Sequence, residues 1–229
     1  MTGTTSDERR LTALLPFVHD HMPPAPARVL EIGCGPVGGF VPSLISRGYD
    51  AVGVDPEAPA GAEYHRVTFE EHEVQQPVDA IVACTALHHV ADIDQVLGRV
   101  VEALAPRGTV IVVEWAHEWF NEATARWCFE QLPAGEDREG WLHHHRDRWE
   151  VSGLGWDSYL ADWIDDEELH TGESIIRALD ARFERRQLTR TPYFFADLDD
   201  VSEVAEQAAI DAHTIRPTGI RYVGQRRTP

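Results

Sequence analysis

Cysteine is scarce in this sequence, and long apolar runs are missing. Among 229 residues the only cysteines are Cys34, Cys84 and Cys128, an odd number at wide spacings. This pattern fits neither a disulfide framework nor a zinc motif, so we expect free thiols and no metal. No apolar stretch approaches the roughly 20 residues that cross a bilayer, and Met1 to Arg10 is polar rather than signal-like. We therefore expect a soluble, cytoplasmic protein with no membrane partner.

Positive charge is also in short supply. Lysine plus arginine number 20 against 39 aspartates and glutamates, which gives a formal net charge of -19. Such a balance repels polyanions, so it argues against a nucleic-acid partner and favours a small-molecule substrate. The chain has ordinary globular values of 43% hydrophobic and 26% charged residues, and its length suits one α/β domain. Nothing in this composition sets the oligomeric state.

Glycine, by contrast, is concentrated in one stretch, VLEIGCGPVGGF, from Val29 to Phe40. Ala27 to Ile32 favours a β-strand, the glycines follow at once, and Phe40 to Arg47 has the pattern of a helix. Glycine is suited to such a turn because it adopts unusual backbone angles and has no Cβ to keep a ligand away. We therefore predict that a nucleoside cofactor binds at this turn.

Two other residues of the stretch favour a cationic cofactor over a dinucleotide. Pro36 has no N–H to offer a pyrophosphate, and Glu31, at the end of the strand, places a carboxylate near the turn. A carboxylate repels phosphate but attracts positive charge. S-adenosylmethionine, which carries sulfonium and ammonium groups, fits these residues better than a nicotinamide dinucleotide does.

The same stretch resembles the first motif of class I S-adenosylmethionine-dependent methyltransferases of the small-molecule type. Glu31, Gly33 and Gly35 match its acidic-x-Gly-x-Gly-x-Gly pattern, with Cys34 between the glycines, whereas Val37 replaces the third glycine. The resemblance, which spans roughly residues 28 to 115, implies S-adenosylmethionine as cofactor and contacts from Glu31, Gly33, Cys34 and Gly35. It also implies an α/β, Rossmann-like fold with a seven-stranded, mostly parallel sheet and an antiparallel last strand.

Three later strand ends extend the expected cofactor site. Asp55 ends an apolar strand about 20 residues after the glycine turn, where a carboxylate accepts hydrogen bonds from ribose hydroxyls, and Pro56 follows it. The alternative for Asp55 is a solvated turn residue. By resemblance, Phe69 and Glu70 cover the adenine at the end of the third strand, although acidic residues there are often only solvated. Thr85, at the end of the fourth strand, completes the predicted set.

The run ACTALHHV resembles the end of the fourth strand in this family, where a histidine lies near the transferable methyl group. His88 or His89 is therefore the candidate general base, and the alternative is a histidine packed at the strand end. Glu114 ends the fifth strand on the ligand-binding side of the sheet, where it orients a substrate, acts as a base or has a structural role. Trp115 follows it.

The remaining pattern predicts the other elements. We expect helices that begin at a Thr5–Glu8 capping box and at Asp92, a helix over 118–132, one capped by Ser158, one over 171–186 and one over 201–213. Further strands are expected over 49–55, 63–69, 78–85, 109–115, 191–196 and 220–226. The connections on either side of 63–69 are shorter than the about 10 to 12 residues of a crossover, so turns should replace helices there.

Residues 116 to 190 exceed what the fold requires between its fifth and sixth strands. We predict a single domain, 1–229, in which 116–190 forms a helical lid over the substrate. Trp115, Trp119, Trp141 and His143 are candidate substrate contacts because aromatic walls exclude water during transfer. Consecutive histidines at 143 to 145 point around a helix rather than to one metal ion.

These observations predict an S-adenosylmethionine-dependent methyltransferase that acts on a small organic acceptor by O- or N-methylation. The candidate catalytic residues are His88, His89 and Glu114. One alternative is a protein that binds S-adenosylmethionine without methyl transfer. Another is an NAD-dependent oxidoreductase, against which Pro36 and Glu31 argue.

Overall fold

In the computed structural model, the described residues 5–132, 140–198 and 200–227 are built around one seven-stranded sheet. The strand order is β3-β2-β1-β4-β5-β7-β6, and β7 pairs antiparallel with both β5 and β6. The strands are β1 Arg28–Ile32, β2 Asp50–Val54, β3 Tyr64–His65, β4 Val78–Cys84, β5 Leu104–Trp115, β6 Phe183–Thr191 and β7 Gly219–Arg226. The predicted fold class and the antiparallel last strand are therefore confirmed.

Helices cover both faces of this sheet and form an additional layer. They are α1 Ser6–His21, α2 Val41–Ser46, α3 Ile93–Ala103, α4 Glu122–Glu130, α5 Trp141–Ser152, α6 Trp156–Glu167, α7 Gly172–Arg182 and α8 Glu203–Asp211. The predicted capping box at the start of α1 is present, and Asp92 caps α3 as expected. Within the described part of the chain, no helix combines the length and the apolar character that crossing a bilayer requires.

The central strands are buried on both sides, which places their carboxyl ends under helices. Side chains alternate along β1, so that Leu30 packs with α3 and α7 whereas Val29 packs with α1 and α2. The same alternation places Ile81 and Val82 of β4 on opposite faces of the sheet. Such continuous apolar strands are typical of parallel sheets with two covered faces. The glycine turn, which follows β1, therefore emerges near the middle of the sheet.

A third core lies outside the sheet, among α4, α5, α6 and the chain around residue 194. It is rich in aromatic rings, with Phe120, Trp156 and Phe194 fully buried at its centre and Trp115 at its edge. This core accounts for most of the predicted helical insertion. However, α7 packs against the sheet through Ile175 and Leu179, and residues 183–190 belong to β6 rather than to a helical lid.

Several predicted boundaries are wrong. The sixth strand is 183–191 instead of 191–196, because an edge strand with exposed charged residues shows little apolar alternation, whereas the apolar YFF run at 193–195 forms a buried 3₁₀ turn. Accordingly, the helix predicted over 171–186 ends at Arg182. Ser158 lies inside α6, which begins after Gly155, and the helix predicted over 118–132 is split into a 3₁₀ turn and α4.

The sheet edge beyond β1 agrees with the expectation of turns in place of helices. β3 contains only two residues instead of the predicted seven-residue strand over 63–69, and turns connect it to β2 and to β4. A short β3 leaves the loop that carries Phe69 and Glu70 free to turn back toward the end of β2. This loop contributes to the cavity described next.

Candidate cofactor and acceptor site

The turn after β1 is tightly packed against the turn after β4. Gly33 has a φ of +76°, and a Cβ there would lie 2.5 Å from the Cβ of Ala86. Gly39 has a φ of +58°, and a Cβ there would collide with the carboxylate of Glu31. Both positions therefore require glycine for two reasons, the backbone angle and the lack of space.

Glu31 is buried beneath this turn. Its Oε2 accepts hydrogen bonds from the N–H groups of Phe40 at 2.7 Å and Val41 at 3.1 Å, so the carboxylate holds the start of α2 in place. Burial raises the pKa of Glu31 to about 8, while these two hydrogen bonds lower it and the charge of Asp55 raises it. The sequence places this carboxylate at the mouth of the site, whereas the structure shows it bound to backbone at the cavity floor.

Asp55 is fixed by the backbone on both sides of the site. One oxygen, Oδ2, accepts a hydrogen bond from the N–H of Gly35 at 3.0 Å, and Oδ1 accepts one from the N–H of Glu57 at 2.7 Å. Because each carboxylate oxygen has two lone pairs, both still have capacity for a ligand hydroxyl. Asp55 therefore joins the end of β2 to the glycine turn and orients a carboxylate between them.

These residues line a cavity of about 540 Å³, which we call the cofactor cavity. Every residue predicted to contact the cofactor lies on its wall: Glu31, Gly33, Cys34, Gly35, Asp55, Pro56, Phe69, Glu70 and Thr85. His89 also lines it. The structure thus brings together residues from four separate turns that the sequence placed at one site.

The first helix supplies Arg10, a wall residue that sequence reasoning missed. Arg10 of α1 lines the cofactor cavity and donates hydrogen bonds to the carbonyl of Tyr193 at 2.9 Å and to Oδ2 of Asp197 at 2.6 Å. Its guanidinium also lies over the Tyr193 ring, 4.2 Å from the centroid. No local signal marks Arg10, because its partners lie more than 180 residues further along the chain.

The turn after β4 contains a strained backbone. Thr85 has a φ of +51°, which is unusual for a β-branched residue, and its N–H donates to the carbonyl of Val113 at 2.8 Å. Strain of this kind persists where the surroundings fix it and occurs often at functional sites. The chain then forms a 3₁₀ turn over Leu87–His89, which contains both histidines.

His88 is held by Glu114. Its Nδ1 lies 2.6 Å from Oε2 of Glu114, whose Oε1 accepts hydrogen bonds from the N–H groups of Ala86 and Leu87 at 2.9 and 2.6 Å. The Glu114 side chain is fully buried. Since this carboxylate accepts all of these bonds, Nδ1 of His88 is the donor to Glu114, and Nε2 is the ring nitrogen left for a ligand.

A second cavity of about 320 Å³ lies beside the first, and we call it the acceptor cavity. Its wall consists of Thr85, His88, His89, Trp115, Trp141, His145, Trp163, Glu167, Leu169 and Tyr193. Thr85 and His89 line both cavities. Sequence reasoning identified Trp115 and Trp141 but missed His145, Trp163 and Tyr193, whose helical or turn context does not distinguish a cavity wall from a core.

Two candidate substrate contacts lie outside both cavities. Trp119 packs in the core of the sheet, and the guanidinium of Arg190 lies 3.7 Å from its ring centroid. His143 is buried in α5, and its Nε2 has no partner among the described residues. The next histidine, His144, is exposed. Across the ranges that the structure describes, no three His, Cys, Asp or Glu residues are placed to hold a metal ion, and the three cysteines are free.

Comparison with known proteins gives a family and a fold. The family described as "Methyltransferase domain" matches residues 6–188, which is most of the chain. A ubiquinone biosynthesis O-methyltransferase from Azorhizobium caulinodans is 30% identical over 143 residues, covering 49% of this chain and 56% of that protein. The chain spans about half the length of the curated relatives it matches.

Solved structures resemble the whole fold at low sequence identity. An S-adenosylmethionine-dependent methyltransferase from Mesorhizobium loti superposes with a TM-score of 0.56 at 17% identity, over 93% of this chain and 98% of that one. The N-methyltransferase NodS from Bradyrhizobium japonicum, solved with S-adenosyl-L-homocysteine, gives 0.54 at 16% identity, over 98% and 89% of the two chains. At these identities the likeness concerns the arrangement of strands and helices.

Proposed function

Because the chain belongs to the methyltransferase domain family, we propose that it transfers a methyl group from S-adenosylmethionine to a hydroxyl group of a small organic acceptor. The class I family and the S-adenosylmethionine cofactor expected from the glycine turn are confirmed. The hydroxyl acceptor draws support from the O-methyltransferase relatives and from the histidine of the acceptor cavity.

The residues of the cofactor cavity fit an adenosyl cation. Asp55 offers fixed carboxylate oxygens to ribose hydroxyls, and Phe69, which is 4% exposed, offers an apolar surface to the adenine. Glu31 supplies a carboxylate on the same wall. Arg10 is the arginine that lines this cavity among the described residues, and it can pair with the carboxylate of the methionyl part. S-adenosylmethionine supplies a methyl group already activated on sulfur.

The observation that carries the proposal is the contact between the two cavities. Thr85 and His89 separate a cavity suited to the methyl donor from a cavity that contains a histidine held by a buried carboxylate. S-adenosylmethionine, when bound, would supply the methyl group and leave as a neutral thioether once its carbon–sulfur bond breaks, while Nε2 of His88 would take the proton of the acceptor hydroxyl. Glu114 positions His88 and stabilises the imidazolium that results.

The proposed function is tested first by binding and then by turnover. Titration with S-adenosylhomocysteine should release or absorb heat and raise the melting temperature, since a ligand that binds only the folded state stabilises it. Incubation with S-adenosylmethionine and a panel of phenols, alcohols and amines should then release S-adenosylhomocysteine. Binding without turnover on any acceptor would favour a cofactor-binding protein instead, and turnover on amines alone would rule out the hydroxyl acceptor.

The role of His88 is tested by replacement. We expect His88→Gln to lower kcat by about 10²-fold or more, because a general base contributes roughly 10² to 10⁴, while the Kd for S-adenosylhomocysteine stays unchanged. A nitrophenol acceptor, whose hydroxyl is far more acidic than that of phenol, should lose much less of its rate. His144→Gln is the matched control, since His144 is exposed on α5. An equal loss of rate on phenol and nitrophenol would assign His88 a packing role.

A further inference from the structure

The residues that line the acceptor cavity indicate which small organic acceptor it binds. We propose that it takes a flat, uncharged aromatic ring, and that His145 orients this ring by donating a hydrogen bond to a second oxygen substituent. The inference rests on the proposed function, because it names the acceptor of the same site. It draws on the ring geometry, on the charges of the wall and on the hydrogen bond of His145.

Aromatic rings form most of the wall, and they are fixed by one another. The Trp115 ring stacks on Tyr193 at 5.6 Å with an interplanar angle of 13°, and it meets Trp141 at 5.4 Å and Trp163 at 5.6 Å. Trp115, Trp163 and Tyr193 are all less than 9% exposed. Rings held at these distances and tilts offer stacking and edge contacts to a further flat ring without losing much side-chain freedom.

The charges on the wall argue against an acidic ligand. Among the described residues no arginine lines the acceptor cavity, and the chain contains no lysine. The carboxylate on its wall, Glu167, is exposed at the rim, and Glu114 lies directly behind His88. The nearby Arg10, which pairs with Asp197, lines the cofactor cavity and does not line the acceptor cavity. A carboxylate or phosphate on the acceptor would therefore be desolvated without a counter-ion, which is costly.

His145 presents the opposite hydrogen-bonding character to His88. Its Nδ1 lies 2.7 Å from the Tyr159 hydroxyl, and its ring lies against Trp163 at 3.6 Å between centroids. Burial, together with the charges of His144 and Arg148, lowers the pKa of His145 to about 4, so the ring is neutral. Burial raises the pKa of Tyr159, so its hydroxyl keeps its proton. We assign this hydroxyl as the donor to Nδ1, which leaves Nε2–H of His145 as a donor.

With this assignment the wall offers an acceptor nitrogen on His88 and a donor nitrogen on His145, beside the ring nitrogens of His89 and the indole N–H groups of Trp115, Trp141 and Trp163. An aromatic ring with a single hydroxyl satisfies only the first. A ring with a hydroxyl and a second oxygen satisfies both, and a site that hydrogen-bonds a substituent discriminates against analogues that lack it, because its polar group is then left unpaired. His145 is thus a specificity-determining residue rather than a base.

The test uses the full chain saturated with S-adenosylhomocysteine and follows quenching of tryptophan fluorescence, checked by calorimetry. The probes are phenol, the 1,2-, 1,3- and 1,4-dihydroxybenzenes, benzoate and benzylamine. We expect at least one dihydroxybenzene to bind about fivefold or more tightly than phenol, as one additional hydrogen bond predicts, and benzoate to bind more weakly than phenol. His145→Phe should keep the stacking on Trp163 and reduce that dihydroxybenzene to the affinity of phenol.

Two further variants keep the result interpretable. His145→Gln, whose amide can still donate, should retain part of the preference, and His144→Phe, on the exposed side of α5, should retain all of it. Benzoate or benzylamine binding as tightly as the best dihydroxybenzene would overturn the inference, and so would an unchanged preference in His145→Phe. Failure of S-adenosylhomocysteine itself to bind would instead contradict the proposed function.

Discussion

At the scale of single residues, the cofactor cavity combines carboxylates in different electrostatic environments. Glu31 is 1% exposed and binds the first N–H groups of α2, whereas Asp55 is partly exposed and binds the backbone of two turns. The buried carboxylate holds its proton more tightly, with a pKa of about 8. In the ligand-free chain at neutral pH, Glu31 is therefore mostly protonated, and a bound cation would favour its ionised form.

This difference predicts a pH-dependent affinity for S-adenosylmethionine. A cation binds the ionised form of Glu31 more tightly, so binding should release a proton and the affinity should rise as the pH increases through about 8. Calorimetry at pH 7 in two buffers of different ionisation enthalpy measures the released proton. Glu31→Gln should release less, because it removes this group while the titration of the cofactor's own amine remains. Equal proton release by the variant and the parent would show that Glu31 does not ionise when the cofactor binds.

Asp55 gives a second residue-scale prediction. Asp55→Ala should weaken S-adenosylhomocysteine binding by about 1 to 3 kcal/mol, since it removes hydrogen bonds to a charged acceptor. Asp55→Asn, which keeps one oxygen for the backbone N–H of Gly35 or Glu57, should lose less. Calorimetric Kd values compare the three chains. If both variants bind like the parent, Asp55 does not contact the cofactor and only holds the backbone of the two turns.

The residues of the cofactor cavity could be predicted because each follows a strand directly. Glu31 and Gly33 belong to one local motif, and Asp55 and Thr85 follow β2 and β4, the two strands that flank β1 in a parallel sheet, whose carboxyl ends meet at one edge. Arg10 and Tyr193 could not be predicted, because their positions depend on the packing of α1 against a distant turn. Trp119 was predicted to contact the substrate because it is aromatic, but it packs in the core of the sheet.

At the scale of elements, α1 is joined to the turn at residues 194–196 by a buried ion pair. Arg10 and Asp197 are about 10% exposed at their side chains, and Arg10 also bonds the carbonyl of Tyr193. Tyr193 lines the acceptor cavity, while Arg10 lines the cofactor cavity. This helix therefore connects the two cavities across the top of the sheet.

Breaking this pair should both destabilise the protein and loosen α1. Asp197→Ala leaves the guanidinium of Arg10 buried without its charged partner, so we expect the free energy of unfolding to fall by about 3 kcal/mol. Hydrogen exchange in α1 should accelerate, and the Kd for S-adenosylhomocysteine should rise. Asp197→Asn is the control that keeps a hydrogen-bond acceptor. Unchanged exchange in α1 would show that other contacts hold this helix.

Element boundaries differ in how far the sequence determines them. The capping residues Thr5 and Asp92 fixed two helix starts correctly, because capping is local. β6 escaped prediction because a charged edge strand gains its structure from pairing with β7 rather than from an apolar pattern. The aromatic run at 193–195 was mistaken for a strand because burial alone does not define backbone conformation.

At the scale of the whole molecule, the aromatic core of α4 to α6 is separate from the two cores that cover the sheet. Trp156 lies at its centre, 1% exposed, and donates a hydrogen bond from Nε1 to the carbonyl of Phe120 at 2.5 Å. Separate cores allow one region to open before the other. The acceptor cavity, which takes Trp141, His145 and Trp163 from this layer, should share its stability.

Trp156→Ala tests this separation. The loss of a buried aromatic ring should cost about 3 to 5 kcal/mol, and hydrogen exchange should rise in α4, α5 and α6 before it rises in β1 and β4. Trp156→Phe removes the hydrogen bond and part of the ring, so it should cost less. S-adenosylhomocysteine binding should survive better than acceptor binding. Uniform acceleration of exchange over the whole chain would mean that the three cores unfold as one unit.

The common wall of Thr85 and His89 has a consequence for inhibitor chemistry. Since Thr85 and His89 line both cavities, a compound that tethers an adenosine to a hydroxylated ring through a few atoms would reach into both. Its second half would then bind at the high effective concentration that a short linker creates. Such a tethered compound should outcompete mixtures of its two separate halves.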